Sequence, residues 1–304
     1  DAIIDGCKGS VFRVNSNKLS LEVLASGLEK HWIFGNFSTM DMNFIPTIVS
    51  NLNYSIVEYD YKYCSYRSPE KHESISGKPC DCRDSNHGKM ISAFYYGADS
   101  LFWMSKKQMD HYCEVFPFLG KKNNTVLSSV FSDEFFETVK ILREKNSEKD
   151  NKWIIVGSTS WIKGVDDAKD YCKENDLEYE VAWKLSHDDL LKKMSSSKGL
   201  IFLPKGGDTC PRIVLEAKLL GCEIVLNENV QHKDEKWFKD GDIESIEKYL
   251  KSAPGRFWDT IEKHTSKEYT ISGYTTTRNC IDQMYPFEQC IMSMTEFCDQ
   301  VVVV

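Results

Sequence analysis

Long apolar runs are missing from this chain. No stretch of its 304 residues approaches the ~20 consecutive apolar side chains that span a bilayer, so no transmembrane segment is expected. An excess of basic charge is missing too. Lys and Arg number 38 against 46 Asp and Glu, a net charge of −8, which argues against a protein that coats nucleic acid. No GxGxxG follows a first strand, which disfavours a nucleotide-dependent oxidoreductase. There is no signal-peptide pattern and no initiator Met, and the chain ends on VVVV with no turn behind it. Both ends therefore read as cuts in a longer protein. The eleven cysteines are scattered and odd in number. Buried reduced thiols of a cytoplasmic protein, among them Cys172, Cys210 and Cys222, fit better than a disulfide framework. The sequons at Asn36, Asn53 and Asn123 are then chance matches.

What is present is an ordinary globular composition, 41% hydrophobic and 28% charged, over a length that suits two domains. Strand and helix patterns alternate, which implies parallel sheets with both faces covered. Residues 1–119 read as an incomplete N-terminal Rossmann-like domain. AIID and VFRV are short strands, Ser20 to about Lys30 a helix, and HWIFGN a central strand. Asp41–Asn51 is a helix and YSIVEYDY a strand. SLFWM is a further strand between the helices KMISAFYYGA and KKQMDHYCEVF. Residues 120–264 read as a complete Rossmann-like domain opened by the strand TVLSSVF. Ser132 caps the next helix. WIIVG, YEVAW, GLIFL and EIVL are its other strands, and Ser186 with Asp189 forms a capping box. ESIEKYLKSA and RFWDTIEKH are helices broken at Pro254-Gly255. Residues 265–304 read as a linker and a further strand–helix–strand start.

Residues 61–88 interrupt the alternation with a long polar loop. Long loops in compact domains are usually functional or tied down. Cys64, His72, Cys80 and Cys82 could form a tetrahedral site for a structural Zn²⁺, with His87 as a competing ligand. The alternatives are an ordinary surface loop or thiols that pair on oxidation.

The stretch from Gly199 to Asn227 organises the rest. GLIFL is a strand, PKGGDT a loop, and a helix starts near Pro211 and ends before Gly221. The carboxyl end of a parallel strand and the amino end of the next helix form the rim where open α/β sheets bind ligands. Backbone N–H groups there, with Lys205 and Arg212, favour an anion such as a pyrophosphate. Asp208 and Glu216 have seven residues between them in Asp208-TCPRIVL-Glu216, followed by Ala217 and Gly221.

This pattern resembles that of the retaining glycosyltransferases of the GT-B fold, family 4 in particular. Their signature is an acidic residue, seven residues, Glu, then Ala and a helix-ending Gly. The resemblance implies two Rossmann-like domains and a terminal helix that crosses back onto the first, for which RFWDTIEKH is the candidate. It also implies transfer of a sugar from a nucleotide-diphosphate donor to a hydroxyl acceptor (glycan, lipid-linked or protein) with retention and without a catalytic metal. It assigns the transferred sugar to Asp208 and the ribose to Glu216. Lys163-Gly164 matches the upstream Lys-Gly that contacts donor phosphate, so Asp208 and Lys163 are the catalytic candidates. Gly157, Ser158, Gly164, Lys205, Gly206, Gly207, Thr209 and Arg212 complete the donor-binding set.

The chain departs from the family pattern in three places. Its first acid is Asp, Cys210-Pro211 replaces Phe-Gly, and Ser158-Thr159 stands where an Arg is expected. Lys205 or Arg212 would supply that missing charge. Trp161 packs in its loop or borders the nucleotide base. Each acid also has a bland reading, Asp208 as a helix-end charge and Glu216 as a solvated helix-face residue. The rival function is a non-catalytic GT-B-like module that binds a glycan or a partner. Residues from about 270 on resemble the opening of family 2 (GT-A) glycosyltransferases, and that start, without the metal-binding acids downstream, is expected to be inert.

Overall fold

A computed structural model describes residues 2–146, 148–265, 272–275, 286–295 and 300–303. The chain forms two compact units, Asp1–Glu262 and Lys263–Val304.

Unit 1 is α/β with two parallel sheets. The first half runs α1 (Leu21–Ala25), β1 (His31–Phe34), α2 (Ile45–Asn51), β2 (Asn53–Glu58), α3 (Pro69–Ser76), α4 (Asn86–Gly97), β3 (Ser100–Trp103), α5 (Lys106–Val115) and β4 (Asn123–Val126). Its strands pair in parallel in the order β1-β2-β3-β4. The second half runs α6 (Asp133–Lys145), β5 (Trp153–Val156), α7 (Val165–Glu174), β6 (Tyr179–Ala182), α8 (His187–Ser196), β7 (Gly199–Phe202), α9 (Arg212–Leu219), β8 (Glu223–Leu226), α10 (Lys236–Lys239), α11 (Ile243–Lys251) and α12 (Ala253–Thr265). Here the parallel order is β6-β5-β7-β8.

The pleat divides each strand between two cores, because successive side chains point to opposite faces. On β5, Ile154 joins the core beneath α8 and α9, while Trp153 and Ile155 face α7 through Ala168 and Cys172. On β7, Leu200 and Phe202 take the first side and Ile201 the second. The first sheet divides the same way. Tyr54, Ile56, Leu101 and Trp103 face its own helices, while Val57 and Phe102 enter the core that also holds Ile154 and Leu200. One apolar core thus runs through both halves.

Helix α12 completes that core. Phe257 is fully buried with its ring 4.3 Å from that of Phe102, and Thr260 meets Thr125 of β4 at 3.1 Å. Arg256 Nη2 donates to the Leu127 carbonyl at 2.8 Å. The expected return of RFWDTIEKH to the first half is therefore what the chain does. The caps also form as expected. Ser132 accepts the Phe135 N–H, and Ser186 accepts the Asp189 N–H while donating to its carboxylate. Gly221 takes a left-handed φ of 74° just past α9.

Several expectations change. AIID and VFRV are not strands: the turns there are Ile4–Gly6 and Ser16–Lys18. The Ile3 carbonyl, which a strand would offer to a neighbouring strand, is taken by the Trp258 indole at 2.7 Å. Phe12 is 77% exposed, so VFRV has no apolar face to cover. β-propensity counts only where such a face exists. The helix after Ser20 is shorter than expected, and β1 is an edge strand because among the described residues it pairs with β2 alone. β4, within the stretch expected to open the second domain, pairs with β3 in the first sheet. Residues 61–88 are not structureless, since they contain α3. Pro211 is the N-cap of α9, one residue ahead of its first turn. Pro254 lies inside the first turn of α12, where its missing N–H is tolerated, so the break falls at Ser252.

In unit 2, β9 (Ser272–Thr275) and β10 (Gln300–Val303) pair in parallel, with α13 (Phe287–Thr295) between them in sequence. That is a βαβ arrangement. The family 2 resemblance also implies a Thr/Asn loop after the first of these strands, and that segment lies outside the described residues. Among the described residues, no helix is long and apolar enough to cross a membrane.

Candidate functional site

The strand order of the second sheet reverses at β5, which has β6 on one side and β7 on the other. A crevice opens outside the carboxyl ends of the strands at such a reversal, because the following loops part to opposite faces. The loop after β5 brings Lys163 there, and the loop after β7 brings Asp208. Lys163 Nζ lies 2.7 Å from Asp208 Oδ2. The side chains are 44% and 18% exposed, so both charges remain within reach of a ligand.

Backbone constraints fix both partners. Gly164 follows the turn Trp161–Lys163 with φ 65°, and a Cβ there would sit 1.7 Å from the Leu203 carbonyl oxygen. Only glycine lets this loop dock against the end of β7. The Asp208 N–H donates to the Asn229 carbonyl at 2.8 Å, and its own carbonyl accepts the Gln231 N–H at 3.0 Å.

The other donor-binding candidates divide. Gly206 packs under Ile162, next to Lys163, and Gly207 faces the Gln231 amide. Lys205 turns to Asp167 of α7 at 3.1 Å. Arg212 donates to the Val130 carbonyl at 2.9 Å and lies over the Phe131 ring at 4.2 Å. Thr209 is buried and donates to the Tyr59 carbonyl at 2.7 Å. Glu216 is not a solvated residue: it is 4% exposed, 3.0 Å from His187 Nε2 and 3.7 Å from Arg212 Nε. His187 escaped the sequence reading. Its signal was its place directly after the cap Ser186, at the start of α8.

Gly157 and Ser158 line a shallow pocket of about 430 Å³ with Thr159, Trp183 and Leu185. A neighbouring pocket of about 360 Å³ is bordered by Trp161, Trp183 and Lys205. Trp183, also missed from sequence, lies on Gly157, where a Cβ would meet its ring at 2.1 Å. Both indoles are nearly half exposed.

Loops from the first sheet close over this rim. Gln231 donates to the Tyr61 hydroxyl and accepts from Ser105 at 3.3 Å. The Lys106 N–H donates to Glu235 at 2.7 Å. Beneath them His232 is fully buried against Trp237 and Phe238, with neither ring nitrogen hydrogen-bonded. Burial lowers its pKa to about 3.

The insert forms a second cluster. The ligand atoms of Cys64, His72, Cys80 and Cys82 all lie within 4.8 Å of one another. His87, the competing candidate, faces the Lys62 carbonyl at 2.8 Å instead. Burial raises the Cys64 thiol and pushes Cys80 up to about 12. For Cys82 burial also works upward, but hydrogen bonds from Ser65, Cys80 and His72 outweigh it and leave the thiol at about 7. Elsewhere Cys172, Cys210 and Cys222 are buried, and burial pushes Cys210 up to about 12.

No family model matches the sequence, and no curated protein matches it. Solved structures do align with it. A sucrose-phosphate synthase from Thermosynechococcus elongatus is 10% identical, with 95% of this chain and 82% of that one covered at a TM-score of 0.47. A UDP-forming trehalose-phosphate synthase from Burkholderia xenovorans is 7% identical over 78% of this chain and 71% of that one, TM-score 0.44. Anabaena HepE, solved with UDP-glucose, is 11% identical over 80% and 77%, TM-score 0.45.

Proposed function

We propose that unit 1 is a nucleotide-sugar-dependent glycosyltransferase of the GT-B type, similar to family 4. The observation that carries the reading is the Lys163–Asp208 pair at the switch point of the second sheet. Transfer requires neutralisation of the departing diphosphate, and a preorganised cation beside the reacting centre supplies it. Lys163 takes that role and Asp208 orients the transferred sugar. Glu216, held by His187, takes the ribose. The base lies against Trp183 or Trp161, where exposed indoles give it an apolar face. Transfer proceeds with retention to a hydroxyl of a glycan, lipid-linked or protein acceptor, without a metal in the chemistry. The β9–α13–β10 unit is read as the start of a family 2-like module.

A thermal-shift panel of UDP, GDP, ADP, CDP and TDP with their sugar conjugates, run with and without EDTA, tests this. A ligand at about 100 times its Kd stabilises by roughly 2.7 kcal/mol. One nucleotide is expected to stabilise the protein, EDTA to leave that increment intact, and Asp208→Ala with Glu216→Ala to remove it. A panel with no response sinks the reading and favours the non-catalytic module, for which Asp208 in place of Glu and Cys210-Pro211 in place of Phe-Gly are the supporting features.

A further inference from the structure

We propose that Cys64, His72, Cys80 and Cys82 bind one structural Zn²⁺, and that this metal clamps α3 onto the glycine loop of residues 205–209 through Glu70. Bond lengths of ~2.3 Å to sulfur and ~2.0–2.1 Å to nitrogen give a tetrahedron whose S–N edges are about 3.5 Å and S–S edges about 3.8 Å. His72 Nδ1 lies 3.2 Å from Cys82 Sγ and 3.9 Å from Cys64 Sγ, which bracket that edge. Four protein donors around one point make a closed site, the form that structural zinc takes. A disulfide would use two of the sulfurs and leave the third thiol and the imidazole unaccounted for.

The surroundings fit a metal. His72 Nε2, the ring nitrogen turned away from the sulfurs, faces Asp81 Oδ1 at 4.0 Å. Ser65 Oγ stands 3.4 Å from Cys82 Sγ. Carboxylates and hydroxyls in these places orient metal ligands. Tyr61 and Tyr63 of the insert are buried in the core, but α3 itself has no such fastening. Helix α3 has no buried residue, so apolar burial cannot hold it. The ligands come from the turn after β2, from α3 and from the segment before α4, so one ion ties three pieces together. Binding converts the thiols to thiolates and releases their protons to solvent.

The clamp has a target. Glu70 lies on α3 two residues before His72. A Cβ on Gly207 would come within 3.1 Å of Glu70 Oε1, and one on Gly206 within 3.4 Å of Glu70 Cβ. Ser68 Oγ holds the other carboxylate oxygen at 2.9 Å. Releasing the metal frees α3 and uncovers the loop beside Asp208. The metal and the contact stand without the donor reading; only the loop's task rests on it.

The test uses the full chain purified under reducing conditions. Metal analysis is expected to find about one zinc per chain, and exchange for Co²⁺ to give thiolate-to-cobalt charge-transfer absorption. Cys80→Ser and His72→Ala should lose the metal, while Cys113→Ser, outside the cluster, should keep it. Hydrogen exchange of the 203–212 segment should speed up when zinc is chelated. A folded protein without stoichiometric zinc or a cobalt band overturns the site, as does zinc retained in the Cys80→Ser/His72→Ala double variant. Unchanged exchange of 203–212 in metal-free protein overturns the clamp. Neither readout uses a nucleotide, so failure of the donor reading leaves both results standing.

Discussion

The two sheets of unit 1 are both four-stranded and parallel, yet they differ in order. The first runs β1-β2-β3-β4 in unbroken sequence. The second runs β6-β5-β7-β8 and reverses at β5. A sheet without a reversal sends its helices to one face and parts no loops, so its rim closes on itself. At the corresponding rim of the first sheet, Lys62 and Glu58 form an ion pair at 2.7 Å in which both side chains are almost fully buried, with the Tyr95 hydroxyl on the same carboxylate. At the rim of the second, Lys163 and Asp208 pair at the same distance but stay partly in water. The same pairing of a lysine with a carboxylate is thus structural on one sheet and free to meet a ligand on the other, and strand order makes the difference.

The comparison can be broken at either pair. Lys62→Met leaves Glu58 buried without its partner, where burial already raises its pKa. Urea denaturation should show a loss of about 3–5 kcal/mol. Asp208→Asn should do the opposite. Its stability should change by less than about 1 kcal/mol, while on the proposed function the rate of sugar transfer should fall by about 10²–10³-fold. A large stability loss at Asp208 with unchanged turnover would make the second pair as structural as the first.

Smaller effects sharpen the contrast. Gly164→Ala should cost about 3 kcal/mol, because it combines a left-handed backbone with a collision against the Leu203 carbonyl oxygen. His232 tests the second rim by pH. Its pKa of about 3 in the folded chain lies below the ordinary value of ~6.5, so the unfolded chain binds the proton first. The stability is full above about pH 6.5 and drains away as the pH falls toward the folded value, with about 2 kcal/mol gone at pH 5. Urea midpoints of the protein and of His232→Leu at pH 7 and pH 5 should show that difference, and parallel losses would refute it. The smallest effect belongs to Gly77→Ala in the insert. Gly77 has φ 71°, close to that of Gly164, but no atom of the described residues lies within 4 Å of where the new methyl would sit. Backbone strain alone should then cost about 1 kcal/mol, read from the same urea midpoints.

The alternation of strands and helices, the caps at Ser132 and Ser186 and the left-handed end at Gly221 were all legible in the amino-acid order. Each of these depends on neighbours within a few residues or on a strong apolar period, so it is written locally. The return of α12, which rests on distant partners such as Phe102 and Thr125, was expected only through the family resemblance. Cys64, His72, Cys80 and Cys82 were also legible as one candidate set, because cysteine and histidine have few other reasons to cluster in a polar stretch. Pairing was not legible. Whether VFRV becomes a strand, whether β4 joins the first sheet or the second, and whether β1 is central or at an edge depend on contacts between distant segments. The same holds at the rim. Lys205 and Arg212 read alike as nearby cations, and Lys163 stood apart only through the family resemblance. Only the folded chain gives Lys205 to Asp167 and Arg212 to Val130 and Glu216, and leaves Lys163 beside Asp208. Side-chain charge is fixed by composition, but its partner is fixed by where the backbone ends up, and that is a property of the tertiary structure.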